Sequence, residues 1–170
     1  LVNAQNGEIL FARRATDTSP PASTIKLLTA LVAYQAKGMS GNLKIQQQDT
    51  RAQPSSVPLI TGETISISDL FHALLIESAN DSALALARYA GGSVEQFVGM
   101  MNAKAAALGC KNSRFKNPNG LPIEGQYTCA QDMMKIFEAA IAIPEIREIC
   151  RTKRFFLKTA AKKQWLKNHN

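Results

Sequence analysis

Two consecutive prolines followed at once by an apolar helical repeat constrain residues 20–32 more tightly than any other stretch of the chain. Pro20 and Pro21 keep the approach extended, because a residue before proline avoids the helical region. Leu27, Leu28, Leu31 and Val32 then recur at helical spacing and Gly38 supplies a stop, which predicts a helix starting near Ser23. Ser23 and Lys26 lie three residues apart at that start and share one face of it. A serine hydroxyl is a weak nucleophile unless a neighbour takes its proton, and a neutral lysine amine can do so. The unpaired amides and positive dipole end of a helix N-terminus disfavour an ammonium. A lysine buried there loses its proton well below its reference pKa of about 10.4. The competing reading is structural: Ser23 caps the helix and Lys26 is a solvated side chain of its first turn.

Spacing alone does not decide between them. Ser113-Arg114-Phe115-Lys116 repeats the Ser-x-x-Lys pattern in a stretch without helical periodicity, and we assign it no function. What singles out the first copy is a second polar element, Ser78-Ala79-Asn80. It follows an apolar helical stretch, residues 70–77, for which Ser68 is the expected N-cap and Asp69 suits the first turn. Another helical stretch runs from Ala83 to Ala90 before Gly91-Gly92 interrupts it. The triplet thus falls between two apolar helices, where a hydroxyl and an amide could project into a cleft. Alone it reads equally as a capping turn, and Ser40-Gly41-Asn42, with the same pattern, reads as an ordinary turn.

Pro20-Pro21-Ala22-Ser23-Thr24-Ile25-Lys26-Leu27-Leu28-Thr29 followed by Glu77-Ser78-Ala79-Asn80-Asp81 resembles the low-molecular-mass penicillin-binding proteins, and among them the serine-type D-alanyl-D-alanine carboxypeptidases. The resemblance extends through Asn6-Gly7-Glu8-Ile9-Leu10-Phe11-Ala12, the stretch from Phe97 to Gly109, and Phe115-Lys116-Asn117-Pro118-Asn119-Gly120-Leu121. It continues through Tyr127 to Met133 and reaches Asn168-His169-Asn170. It implies an α+β fold of the β-lactamase/transpeptidase type, with a helical region packed on an antiparallel sheet that is incomplete in this chain. It further implies a single domain over residues 1–170 that stops before the family's third motif, Lys-Thr-Gly. Lys158-Thr159-Ala160 is not that motif, since it precedes Asn168 and lacks the glycine.

The resemblance assigns the roles as follows. Lys26 accepts the Ser23 proton as the hydroxyl attacks the penultimate D-alanine carbonyl of a peptidoglycan stem peptide. Ser78 relays a proton to the leaving D-alanine, and Asn80 orients the substrate amide and holds Lys26. The Ser23 N–H is one oxyanion donor, the other lying on the third-motif strand. β-Lactams would acylate the same serine. No metal or organic cofactor is implied, and export to the periplasm or the outer face of the bacterial cytoplasmic membrane is. Three alternatives stay open, one of them an anionic-polymer binder acting through the basic residues at the end of the chain. A β-lactamase uses the same Ser-x-x-Lys chemistry, although no Glu-x-x-Leu-Asn segment follows the second motif. A non-catalytic wall-binding relative would not need the third motif.

The remaining expectations are local. Leu1 to Ala4, a turn at Asn6-Gly7, and Ile9-Leu10-Phe11 read as a β-hairpin, and Phe155-Phe156-Leu157 as the one further strand. Pro54 to Pro58 reads as a surface loop, and Ser93-x-x-Gln96 and Thr128-x-x-Gln131 as capping boxes. Asn119 sits in a Pro-Asn-Gly turn and, by the resemblance, near the cleft; His72 reads as a core histidine. Cys110, Cys129 and Cys150 carry no metal-binding spacing, leaving both one disulfide and buried thiols open. No apolar run approaches the roughly 20 residues of a membrane helix, and Leu1 enters the hairpin with no signal peptide before it, so any membrane anchor would lie outside this chain.

Net charge is +7, with 20 cations against 13 acids, and the excess sits at one end. Residues 151–170 hold Arg151, Lys153, Arg154, Lys158, Lys162, Lys163 and Lys167 and no acid. Phe155, Phe156 and Trp165 interleave with them, a composition that also occurs in single-strand binders. No nucleic-acid-binding motif accompanies the run, so a solvated hairpin face close to an anionic polymer or lipid is the better reading and no nucleic-acid partner is expected.

Overall fold

The computed structural model describes residues 1–3, 5–51 and 54–168. Among the described residues, six α-helices and two separate antiparallel strand pairs make up the regular structure: α1 Lys26–Lys37, β1 Asn42–Lys44, β2 Thr64–Ser66, α2 Ile67–Ile76, α3 Asn80–Gly91, α4 Val94–Ala107, α5 Ala130–Ile141, α6 Pro144–Arg151, β3 Arg154–Lys158 and β4 Lys163–Lys167. A 3-10 turn, Ala22–Ile25, runs directly into α1, and a second one spans Gln47–Arg51.

Helix α1 is the centre of the molecule. Ile25 before it and Leu28, Ala30, Leu31, Val32 and Ala33 within it are buried, and it packs against α2, α3, α4 and α5. A helix apolar on nearly every side has to be surrounded. The alanines of α3 (Ala83, Ala85, Ala87) let it lie close to α1, and α2 contributes Leu70, Phe71, Ala73 and Leu74 to the same core. Gly91 ends α3 where a Cβ would press on the Phe97 backbone, so the turn into α4 depends on its absence. The 3-10 turn at Gln47–Arg51 is tied to α3 by a buried pair: the Arg88 guanidinium donates to the Asp49 carboxylate at 2.7–3.2 Å and to Lys44 O at 2.9 Å.

Several local expectations change. The N-terminal hairpin reduces to the bridge Val2↔Ile9 with flanking bonds such as Asn3 N to Glu8 O at 2.8 Å; Ala4 lies outside the described residues. Three strands besides β3 are present. β1 and β2 are three residues each, too short for an alternating pattern to register. The cap of α2 is Ser66, whose Oγ accepts from Asp69 N at 3.0 Å, while Ser68 lies inside the helix. Ser93 caps α4 by accepting from Gln96 N at 3.1 Å, but Thr128 makes no cap for α5 and hydrogen-bonds Ser113 instead. The three cysteines are free thiols. His72 Nδ1 donates to Ser68 O at 2.8 Å, and the ring stacks on Phe155 with centroids 3.8 Å apart.

Candidate active site

The 3-10 turn places Ser23 on the surface and Lys26 one turn on, at the first position of α1. Lys26 Nζ donates to Ser23 Oγ at 3.0 Å and to Asn119 O at 2.8 Å. The Lys26 side chain is almost fully buried, and among the described residues no carboxylate pairs with it. Burial alone pushes its pKa down to about 8, so a substantial neutral fraction exists near physiological pH. Ser23 makes no helix cap. An exposed hydroxyl touching a buried, readily deprotonated amine is what activation of a serine requires.

The acceptor for Lys26 is built by the segment 117–121. Asn117 Oδ1 accepts from Gly120 N at 2.8 Å, Asn119 Oδ1 accepts from Leu121 N at 3.1 Å, and Asn117 Nδ2 donates to Leu121 O at 2.8 Å. Thr29 Oγ1, one turn along α1, donates to Pro118 O at 2.6 Å. Gly120 has φ +86°, and a Cβ there would collide with Ala22 O, so glycine lets the segment lie against the turn that carries Ser23. The Pro-Asn-Gly turn is therefore both a turn and a wall of the site.

Ser78 lies in the link between α2 and α3 with φ +58°, a left-handed conformation that costs a non-glycine residue energy and marks functional segments. It lines one cavity of about 590 Å³ together with Ser23, Lys26, Leu27, Leu74 and Cys150. Asn80 opens α3 three residues earlier than the apolar periodicity suggests; it is buried and is not among the residues that line this cavity. Its Nδ2 donates to Pro54 O at 2.6 Å and its backbone N–H to Ser55 O at 2.7 Å, while its Oδ1 is buried with no donor among the described residues. The hydrogen bond that holds Lys26 comes from Asn119 O, where the resemblance implied Asn80.

The stretch from Pro54 to Pro58 is more than a surface loop. Val57 is fully buried, and the Asp81 carboxylate accepts from Val57 N (3.0 Å), Leu59 N (3.4 Å) and Ser82 N (2.8 Å). Burial pushes the Asp81 carboxyl up, against the opposing pull of these backbone amides. Asp81 thus staples the loop that holds Asn80. The motif Glu-Ser-Ala-Asn-Asp contained this residue, but nothing local indicated its partners 24 residues upstream.

The second Ser-x-x-Lys copy is structural. Ser113 Oγ donates to Asp132 Oδ2 at 2.8 Å and contacts Thr128 Oγ1, while Lys116 Nζ donates to Glu124 O at 2.6 Å. Asn168 closes the base of the β3–β4 hairpin, its Nδ2 donating to Cys150 O and Thr152 O; His169 and Asn170 lie outside the described residues. Among the described residues no group of three His, Cys, Asp or Glu side chains is arranged to hold a metal ion, and no helix is long and apolar enough to cross a membrane.

Comparison with known proteins identifies the family and the fold. The family model described as D-alanyl-D-alanine carboxypeptidase matches residues 1–170. The chain is 33% identical over 176 residues to the D-alanyl-D-alanine carboxypeptidase DacF of Bacillus subtilis, covering 100% of this chain and 45% of that protein. Among solved structures, a penicillin-binding protein homolog from Mycobacterium tuberculosis superposes with TM-score 0.94 at 31% identity, over 99% of this chain and 65% of that one. A Streptomyces DD-transpeptidase superposes with TM-score 0.92 at 26% identity, over 99% of this chain and 71% of that one. The chain spans about half the length of the curated relatives it matches. By sequence over its whole extent and by fold, it belongs to the D-alanyl-D-alanine carboxypeptidase family.

Proposed function

We propose that these residues carry the acylating part of a serine D-Ala-D-Ala carboxypeptidase acting on peptidoglycan stem peptides outside the cytoplasmic membrane. The observation that carries the reading is the 3.0 Å contact between an exposed Ser23 hydroxyl and the buried Lys26 amine, whose pKa of about 8 suits a general base. Neutral Lys26 takes the Ser23 proton as Oγ bonds to the carbonyl carbon of the penultimate D-alanine. The carbonyl electron pair moves onto oxygen and returns as the C–N bond breaks. Ser78, on the same cavity, passes its proton to the departing D-alanine nitrogen and takes up the one Lys26 holds, which leaves Lys26 neutral again. Water then attacks the acyl-enzyme, its hydroxyl going to the acyl carbon and its proton back to Ser23 Oγ. Asn80, with a buried carbonyl oxygen free of a donor among the described residues, is suited to accept from the substrate amide. A β-lactam, which mimics the acyl donor but retains its leaving group, would remain attached to Ser23.

The test is intact-mass spectrometry of the protein in its natural length after benzylpenicillin, beside its Ser23→Ala form. One adduct on the unmutated protein and none on the variant is expected. An unmodified natural protein would refute acylation at Ser23, and turnover of penicillin without a lasting adduct would favour a β-lactamase.

A further inference from the structure

The β3–β4 hairpin presents a face that the acylation chemistry does not use. Its register pairs Arg154 with Lys167, Phe156 with Trp165, and Lys158 with Lys163. All six are exposed, because residues on alternate positions of each strand share one face. The opposite face is anchored: Leu157 and Leu166 are buried and Phe155 stacks on His72 of α2. A rigid mount therefore displays two aromatic rings, 48% and 62% exposed, between two cross-strand pairs of cations. Like charges directly opposite one another destabilise a strand pair, and among the described residues no acid forms an ion pair with any of the four.

We infer that this face docks on an anionic lipid surface. Phe and Trp settle at the headgroup level of a bilayer, where a ring is shielded from water and the indole N–H stays wet. The surrounding lysines and arginine reach lipid phosphates, each adding about fivefold to partitioning near an anionic surface. Charge complementarity selects the sign of the partner, and the aromatic centre selects a surface with apolar depth over a purely charged polymer. Single-stranded nucleic acid would need open ring faces. Here the two rings lie 5.2 Å apart at 58°, packed on one another. This inference is independent of the acylation chemistry.

Trp165 is the sole tryptophan of residues 1–170, and the emission lost in Trp165→Phe reports on this face. The experiment titrates the protein in its natural length, with its Trp165→Phe form as background, with vesicles of phosphatidylglycerol and phosphatidylcholine, and with phosphatidylcholine alone. A blue shift, quenched by bromine-labelled acyl chains and confined to the anionic vesicles, is expected. Lys158→Glu with Lys163→Glu should weaken partitioning by at least about 25-fold with an unchanged circular dichroism spectrum. Arg154→Gln with Lys167→Gln provides a second pair if the first variant misfolds. No shift with anionic vesicles overturns the proposal, as does binding that both variant pairs leave intact. A shift produced by a single-stranded oligonucleotide at equal phosphate, and not by the vesicles, overturns it in favour of nucleic acid.

Discussion

Lys26 Nζ lies 2.8 Å from the carbonyl oxygen of Asn119, a residue 93 positions further along the chain. A backbone acceptor holds the amine in place without adding a negative charge that would keep it protonated. This arrangement fixes position and leaves basicity to burial.

Acylation by a β-lactam should therefore rise with pH and level off above about 8, where Lys26 becomes mostly neutral. The same shift has a stability consequence of definite sign. Between about 8 and the ordinary value of 10.5 the unfolded chain binds more protons, so this group's contribution to stability improves as the pH rises through that interval. Lys26→Arg should abolish the pH limb and slow acylation by at least about a hundredfold. Rates of labelling by a fluorescent penicillin between pH 6 and 10 measure both, and a flat profile in the unmutated protein would remove Lys26 as the base.

Gly120→Ala tests the wall behind the lysine. Its Cβ meets Ala22 O, and its φ of +86° is unfavourable for any side chain. The variant should lose about 1–3 kcal/mol of stability and acylate more slowly even where it remains folded. Thermal unfolding and labelling rate, taken on the same sample, separate the two effects.

Asp81 should matter for stability more than its distance from the chemistry suggests. Asp81→Ala leaves the Val57 and Leu59 amides without their acceptor inside the protein, at a cost of about 2–4 kcal/mol in urea unfolding. Asp81→Asn keeps one acceptor oxygen and should lose less. Equal losses would show that the staple works by charge rather than by hydrogen bonding.

Asp132 gives a pH signature of the same sign as that of Lys26, but in the acid range. Burial raises its carboxyl, but the Ser113 hydroxyl, the Asn112 and Lys111 amides and the Lys135 ammonium outweigh it, and the pKa falls below the ordinary 3.8. Its stabilisation is present above that value and is lost as the pH falls through the lower, folded one. The stability gap between the natural chain and Asp132→Asn should close under acid. Ser113→Ala should cost about 1–2 kcal/mol and leave penicillin labelling intact, which would separate the two Ser-x-x-Lys copies functionally.

The contact between Ser23 and Lys26 was legible because side-chain identity, spacing and a helix start coincide within ten residues. Ser78 and Asn80 were legible as a junction, though the helix begins at Asn80 itself, where polar residues mask its first turn. What holds the site was not legible. A backbone carbonyl such as that of Asn119 has no sequence signature, and the partners of Asp81 depend on a loop brought in by the fold. Ser66 and Ser68 are both good caps by composition; only β2 running directly into α2 decides between them. The sheet was read in class but not in detail, since β1 and β2 offer three residues each.

Helix α1 is enclosed by four other helices, and Lys26 is its first residue. Amides at the centre of such a helix exchange with solvent only when the whole domain opens. Local fraying at the N-terminal bridge should leave Ser23 and Lys26 in register. Heating should then extinguish reactivity and ordered structure in one step, with no folded but inert species accumulating between them.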